Sequence, residues 1–414
     1  MASFLKRRNS GVESDILDGY RHGQGFLIPP ASVTSEELYR AYFGCIRHKR
    51  NSRSALEFRL EEERNMFELM DEINTFSYRP RPYSVFIIDR PVKREVFAAS
   101  FRDRIVHHLV VDAINPYIER RLIYDCYACR VGKGTHFGIE RLRHFMASST
   151  NNWKDEAWCL KLDIRGFFMS IDRSVLWNGL RTYLIGAYSN SNLPVIMDLL
   201  ETIVFTDPTK DCLLRSPSSK WEGLPHSKSL FFAEPGRGLP IGNLTSQILA
   251  NFYMSSLDHF VKHDLGISMY GRYVDDFFLI HRDRNRLKEC LAAIKDFLFT
   301  ELRLELNPSK VYLQPVDRGV RFLGVVVEPG HANMARRTVS NFYDRVASIN
   351  AKVIDHRLGK AEMKKGIACI NSYLGLLSHF DTYRLRGRVL NRLDARFAKR
   401  ISKDRLLRKI SFVR

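Results

Sequence analysis

Three carboxylates in this chain invite chemistry. Asp275 and Asp276 are adjacent in Tyr273-Val274-Asp275-Asp276, and Asp163 closes the run Ala157-Trp158-Cys159-Leu160-Lys161-Leu162. Adjacent carboxylates repel, so a pair held at a hairpin tip needs a cation to stay ionised. Mg²⁺ supplies that charge through carboxylate oxygens and keeps coordination sites for substrate phosphates. The chemistry implied is phosphoryl transfer, in which two metal ions ~3.5–4 Å apart stabilise the attacking and leaving oxygens. An Asp-Asp pair by itself is equally good turn chemistry. The third carboxylate upstream, and the glycine loop Gly236 to Gln247 between them, favour the metal reading.

The positioning elements follow from local patterns. Met269-Tyr270 and Phe277-Phe278-Leu279-Ile280 predict a hairpin with both aspartates at its turn. Residues 157–163 predict a strand, and Asp172 is a candidate N-cap for the helix after it. Gly236 to Gln247 predicts a loop entering an apolar helix, Ile248 to about His263. Upstream, Thr34-Ser35-Glu36-Glu37 has capping-box spacing and opens a helix through about Ile46. A second helix is predicted from Ser54 to Phe76, with Leu56, Leu60, Phe67, Leu69, Met70 and Ile73 as its apolar face. Strands are expected over Tyr83 to Ile88 and Lys93 to Ala98, and helices over Ile105 to Ile118 and Gly138 to Ala147. Downstream, a helix is expected from Arg284 to Leu302 and a strand from Val320 to Val327. Residues 186–237, with prolines at 194, 208, 217, 225 and 235, read as a long loop-rich insertion.

Composition narrows the partners. The chain has 414 residues, 65 Lys and Arg against 46 Asp and Glu, and a net charge of +19. That excess points to a polyanion, nucleic acid ahead of an anionic membrane. From His331 to Arg414 there are 20 basic and 6 acidic residues, so most of the excess lies there. No signal peptide or membrane-spanning run is visible, and a cytoplasmic location is expected. The seven cysteines are scattered and odd in number, which fits a reducing compartment. Cys126 and Cys129 have half a zinc spacing with no second pair, and read as buried thiols. His107 and His108 read as ordinary helix residues. The glycine turn Gly132 to His136 could touch phosphate through backbone N–H groups.

Taken in order, the Asp163 strand, the glycine loop, the Tyr273–Asp276 hairpin, Asn307-Pro308-Ser309-Lys310, Phe322-Leu323-Gly324 and the basic helical end resemble a reverse transcriptase. The resemblance covers about residues 34–414. It implies an α+β right-hand polymerase fold. Residues 1–33 would be an N-terminal arm, and 34–160 the fingers with N-terminal helices and the start of the palm. Residues 161–330 would be the palm, carrying the 186–237 insertion, and 331–414 a basic helical thumb. The resemblance assigns catalysis to Asp163, Asp275, Asp276 and Lys310, the lysine protonating pyrophosphate. Two Mg²⁺ or Mn²⁺ ions would be held by Asp163, the Ile164 carbonyl, Asp275 and Asp276. Arg94, with Lys93, Phe168, Gly242 and Gln247, would bind the dNTP. Phe168, five residues after Asp163, matches the gate that excludes a 2′-OH. Ile241, Gly242, Ser246 and Gln247 would form a fidelity loop, and Phe322, Leu323 and Gly324 the primer grip.

Reverse transcriptases commonly carry Gln-Gly then Ser-Pro in that loop; here the positions read Ile241-Gly242 and Ser246-Gln247. This version, with Phe101-Arg102-Asp103-Arg104, Tyr127-Ala128-Cys129-Arg130 and Ser372-Tyr373-Leu374-Gly375, looks like the diversity-generating retroelement branch. That branch implies a template RNA, a primer or cDNA, and a small basic accessory protein. An antiphage-defence reverse transcriptase with a structured non-coding RNA is the alternative. A non-catalytic nucleic-acid-binding protein on a polymerase scaffold is a third reading, against which the intact carboxylates stand. No RNase H pattern follows the expected thumb.

Overall fold

The structure is a computed structural model that describes residues 32–47, 51–89, 92–354 and 359–413. The expected arm, 1–33, lies almost wholly outside them. Helix α1 (Ser35–Ile46) opens with the expected box: the Thr34 side chain accepts from the Glu37 N–H, and the Glu37 carboxylate accepts from the Thr34 N–H. Such a cap stabilises by about 1 kcal/mol. The single helix expected from Ser54 to Phe76 is two, α2 (Arg53–Leu60) and α3 (Glu62–Asn74). Glu61 leaves helical geometry between them, at φ −131°, ψ 49°. The break rotates the apolar stripe, so Leu56, Leu60 and Phe67 are exposed while Ala55, Phe58, Met66, Leu69 and Ile73 are buried.

Strands β1 (Ser84–Ile88) and β2 (Arg94–Ala98) pair antiparallel. Helix α4 (Phe101–Arg121) is longer than its apolar pattern because Ser100 caps it at Asp103, and it is buried on most sides. Helix α5 (Thr135–Ser149) leads to β3 (Trp158–Asp163) and the short α6 (Phe167–Ser170). The carboxylate of Asp172 caps α7 (Arg173–Ala187), accepting from the N–H groups of Ser174 and Val175.

The 186–237 stretch is not loop throughout. Leu193–Phe205 is a helix, α8, that starts with Pro194 in its first turn and buries Val195, Ile196, Leu199, Leu200 and Val204. The remainder is irregular. Its two-residue strand β4 (Leu213–Leu214) runs parallel to β1.

Helix α9 (Leu244–His259) continues as a π-helical turn over Phe260–Asp264. Strands β5 (Tyr270–Tyr273) and β6 (Asp276–His281) follow, then α10 (Arg284–Leu302) and β7 (Tyr312–Pro315). The central sheet is antiparallel in the order β5-β6-β3-β7. The strand expected over 320–327 is a hairpin, β8 (Val320–Phe322) and β9 (Val325–Glu328), because Leu323 and Gly324 both take positive φ. β10 (His331–Met334) adds to β9.

The basic end comprises α11 (Arg336–Ile354), α12 (Lys360–Leu377), α13 (Tyr383–Leu390), the short α14 (Ala395–Ala398) and a small hairpin, β11 (Ile401–Lys403) with β12 (Ile410–Phe412). It has its own core around Phe342, Ile370, Leu374 and Phe397, separate from the main core behind the central sheet. Among the described residues, no helix is long and apolar enough to cross a membrane.

Candidate active site

Antiparallel pairing assembles the three carboxylates. Asp163, the last residue of β3, is the register partner of Asp276, the first of β6. Opposed residues point to the same face with Cβ atoms about 4.5–5.5 Å apart. Asp276 is thus on the strand, and Asp275 alone remains in the tight turn with Val274. The turn is tied down across the sheet: the Asp275 carbonyl accepts from the Ile164 N–H at 3.3 Å. On the other flank, the Asn307 N–H donates to the Asp163 carbonyl at 2.8 Å and brings Lys310 over the site.

Two ammonium groups meet the carboxylates. Lys310 Nζ donates to both oxygens of Asp163, at 2.8 and 2.7 Å. Lys161, two residues before Asp163 and so on its face of β3, places Nζ 2.8 Å from Asp276 Oδ1. Among the described residues, that ammonium is the one donor beside Asp276 Oδ1, which is otherwise buried. Burial, and then the Asp163 carboxylate beside it, push the Asp275 carboxyl up to about 6. Burial likewise raises Asp276, opposed by Lys161.

Sequence reasoning missed Lys161, although the period-2 spacing from Asp163 was a usable signal. Arg272 and Glu95 were missed too, since buried charge has no local signature. Glu95 is fully buried and accepts from Trp221 Nε1, Ser229 Oγ and the Leu230 N–H, fastening the 206–237 segment to β2.

Among the described residues, no group of three His, Cys, Asp or Glu side chains is gathered closely enough to hold a metal as it stands. The donor set nevertheless suits a hard cation. Its carboxylates lie together at one end of the two central strands, β3 and β6, and lysine ammoniums already occupy the cationic positions beside Asp163 and Asp276.

The remaining expected residues belong to other elements. Phe168 is half-buried against Phe167, and its carbonyl accepts from the Leu239 N–H. Gly242 has φ +121°, and a Cβ there would meet the Phe97 carbonyl oxygen at 2.7 Å. The glycine therefore lets the loop dock on β2, where the Ile241 carbonyl accepts from the Phe97 N–H at 2.8 Å. The Ile241 side chain packs against the cluster of Tyr83, Val85 and Phe97. Ser246 is buried, while Gln247 is exposed and its Oε1 accepts from Cys129 Sγ.

Arg94 is exposed at the start of β2, whereas Lys93 is committed to the 206–237 segment through the Glu222 carbonyl at 2.6 Å. The Phe322 ring is fully buried, edge-on to Phe278, so it supports the turn from within, while Leu323 is half-buried and Gly324 is exposed. Cys126 is buried as expected, but Cys129 is exposed. His107 is buried; His108 is partly so. A cleft of about 610 Å³ opens beside the turn after β3, lined by Arg165, Ser170, Phe232, Arg237 and Arg303; none of the three carboxylates lines it.

An antiparallel sheet whose two central strands bring paired carboxylates together at one end fits a template-dependent polymerase. Residues 93–327 match the family described as reverse transcriptase (RNA-dependent DNA polymerase), and the chain belongs to that family. Its fold is the mixed α+β right-hand fold of such polymerases. A curated relative is the putative COX1/OXI3 intron 1 protein of Saccharomyces cerevisiae, 20% identical over 289 residues. The match spans 66% of this chain but only 30% of that protein's length. Similar solved structures include apo telomerase of Candida tropicalis truncated from its C-terminal domain, 12% identical, with a TM-score of 0.43 over 63% of this chain and 57% of that one. Telomerase of Candida albicans with a fragment of telomeric RNA is 12% identical, with a TM-score of 0.44 over 76% of this chain and 55% of that one.

Proposed function

We propose that this chain copies RNA into DNA by metal-assisted nucleotidyl transfer at Asp163, Asp275 and Asp276. The observation that carries the reading is the register of β3 and β6, which opposes Asp163 to Asp276 with Asp275 in the adjoining turn. Divalent cations, when bound by these carboxylates and the Ile164 carbonyl, supply charge stabilisation for the attacking 3′-oxygen and the leaving pyrophosphate. The chain's own groups do the rest. Arg94 grips the triphosphate from the fingers, residues 34–160. Phe168 stands against the sugar and excludes a 2′-OH. Lys310, already on Asp163, delivers a proton to the departing pyrophosphate. Leu323 and Gly324 hold the primer end, and the basic thumb, residues 331–414, neutralises the duplex backbone.

The reading extends to a dedicated structured RNA and a diversity-generating role. Its support is the aliphatic Ile241 where an amide is usual: an apolar side chain removes hydrogen bonds near the nascent pair, and lower fidelity follows. An antiphage-defence enzyme shares the chemistry and differs in its RNA.

Purified protein with Mg²⁺, dNTPs and a primed RNA tests the activity. The primer should extend, and Asp275→Asn should abolish extension; extension by the variant at the natural rate rejects the assignment. Sequencing the products tests the finer reading, since errors concentrated opposite template adenine should fall in Ile241→Gln. Sequencing RNA that co-purifies with the protein separates a template repeat from a defence-associated RNA.

A further inference from the structure

Arg272 is fully buried in β5, three residues before Asp275. Its guanidinium is shared between two elements. Nε and Nη2 form a bidentate pair with the Asp258 carboxylate at 2.7 and 2.6 Å, and Asp258 is itself fully buried and accepts from the Tyr270 hydroxyl. Nη1 points the other way and donates to the Val274 carbonyl at 2.9 Å, with Asn251 Oδ1 as a longer second acceptor at 3.3 Å. Asn251 and Asp258 both belong to α9, the helix entered from the 241–247 loop. One side chain therefore joins that helix to the tip bearing Asp275.

The tip needs such a hold. Val274 has φ +59° and is the first of the two turn residues; Asp275 has no positive φ. Positive φ at the first turn residue alone is the type II′ pattern, which ordinarily takes glycine. A β-branched residue there is strained, and a β-branched side chain in that region is a genuine outlier. A charge-assisted bond to this partly buried carbonyl is of the same order as that strain, so the guanidinium can balance it. The bond also fixes the Val274–Asp275 peptide plane, and with it the direction of the Asp275 side chain.

We propose that Arg272 is a positioning residue: anchored on Asp258, it holds Val274 in the left-handed turn that presents Asp275 to Asp163. The inference deepens the polymerase reading and, as a statement about catalysis, rests on it. Arginine is required, because lysine keeps the charge but cannot reach Asp258 bidentately and the Val274 carbonyl at once.

Arg272→Lys is the test variant, read only in protein that gives the natural circular dichroism. Primer extension should show kcat reduced by about 100-fold, the scale expected for a misplaced reacting group, with KM for dNTP changed by less than about 3-fold. Adding Val274→Gly to Arg272→Lys should recover at least about tenfold of kcat, since glycine enters the turn without strain, while restoring only the strain's share of the melting temperature, because the stability lost with the buried Asp258 pair stays lost. A purely structural role would move stability and activity together and gain nothing from the glycine. Should Arg272→Lys not fold, Asp258→Asn, which loosens the anchor, should give the same kcat loss.

Amide hydrogen exchange over residues 273–276 reads the clamp without catalysis. It should quicken in either anchor variant while β3 stays protected. An inactive natural protein would reject the polymerase reading and leave exchange to decide the clamp. Natural kcat in Arg272→Lys, no gain from the glycine, or unchanged exchange at the tip overturns the inference.

Discussion

The Lys310 ammonium grips both carboxylate oxygens of Asp163 across 147 residues of chain. The same carboxylate is a proposed metal ligand, so the lysine would compete with divalent ions for it. Lys310→Met should lower kcat by about 10²- to 10⁴-fold, the range of general acid catalysis. The Mg²⁺ concentration giving half the maximal rate should not rise, because a competitor has gone. A metal titration of primer extension checks both parts, and a higher Mg²⁺ requirement would reject the competition.

Asp275 should destabilise the fold when no divalent ion is present. Its carboxyl is raised from 3.8 to about 6, first by burial and then by Asp163. A group raised on folding contributes stability that is full below about pH 4 and is lost as pH rises through 6. At pH 7.5 in a chelator, Asp275→Asn should therefore be more stable than the natural chain by about 3 kcal/mol, and at pH 4 the two should converge. Urea unfolding at both pH values measures this. Equal stability at pH 7.5 would show that the carboxylate is not under strain.

Gly242→Ala should undock the glycine loop. The added methyl meets the Phe97 carbonyl oxygen at 2.7 Å and Val96 Cγ1 at 2.8 Å, on a backbone at φ +121°. The cost should be about 1–3 kcal/mol, the range for strained backbone and overpacking. Thermal unfolding reads the loss, and KM for dNTP should rise with it. An alanine variant of natural stability and KM would mean that the loop is not held by β2.

The basic C-terminal helices should give template–primer binding a steep salt dependence. Residues 331–414 carry 20 basic and 6 acidic side chains. A plot of log affinity against log salt should have a slope of about −4 or steeper, each neutralised phosphate contributing close to −0.9. Replacing Arg384 and Arg388, on α13, with alanine should flatten it by one to two units, as about one unit per lost phosphate contact requires. A shallow slope in the natural chain would put the binding energy elsewhere.

Local chemistry was enough to read much of this molecule. The Thr34 box, the Asp172 cap and the bounds of α10 depend on side chains a few residues away. The Asp163 strand and the Tyr273–Asp276 hairpin are short apolar runs closed by polar residues. Misreadings fell where distant groups choose between local options. The 54–76 stretch breaks at Glu61, Leu193–Phe205 is helical within a proline-rich insertion, and 320–327 folds back at Leu323. At the site, residue types and order named three carboxylates. Only the β3–β6 register decided which two oppose each other, and only packing of α9 under β5 decided that Arg272 would reach the Val274 carbonyl. The reason is physical: pattern along a chain sets which face a residue takes, whereas the energy of a buried charge depends on partners from other elements, 14 residues apart for Arg272 and Asp258 and 135 for Glu95 and Leu230, that no local pattern names.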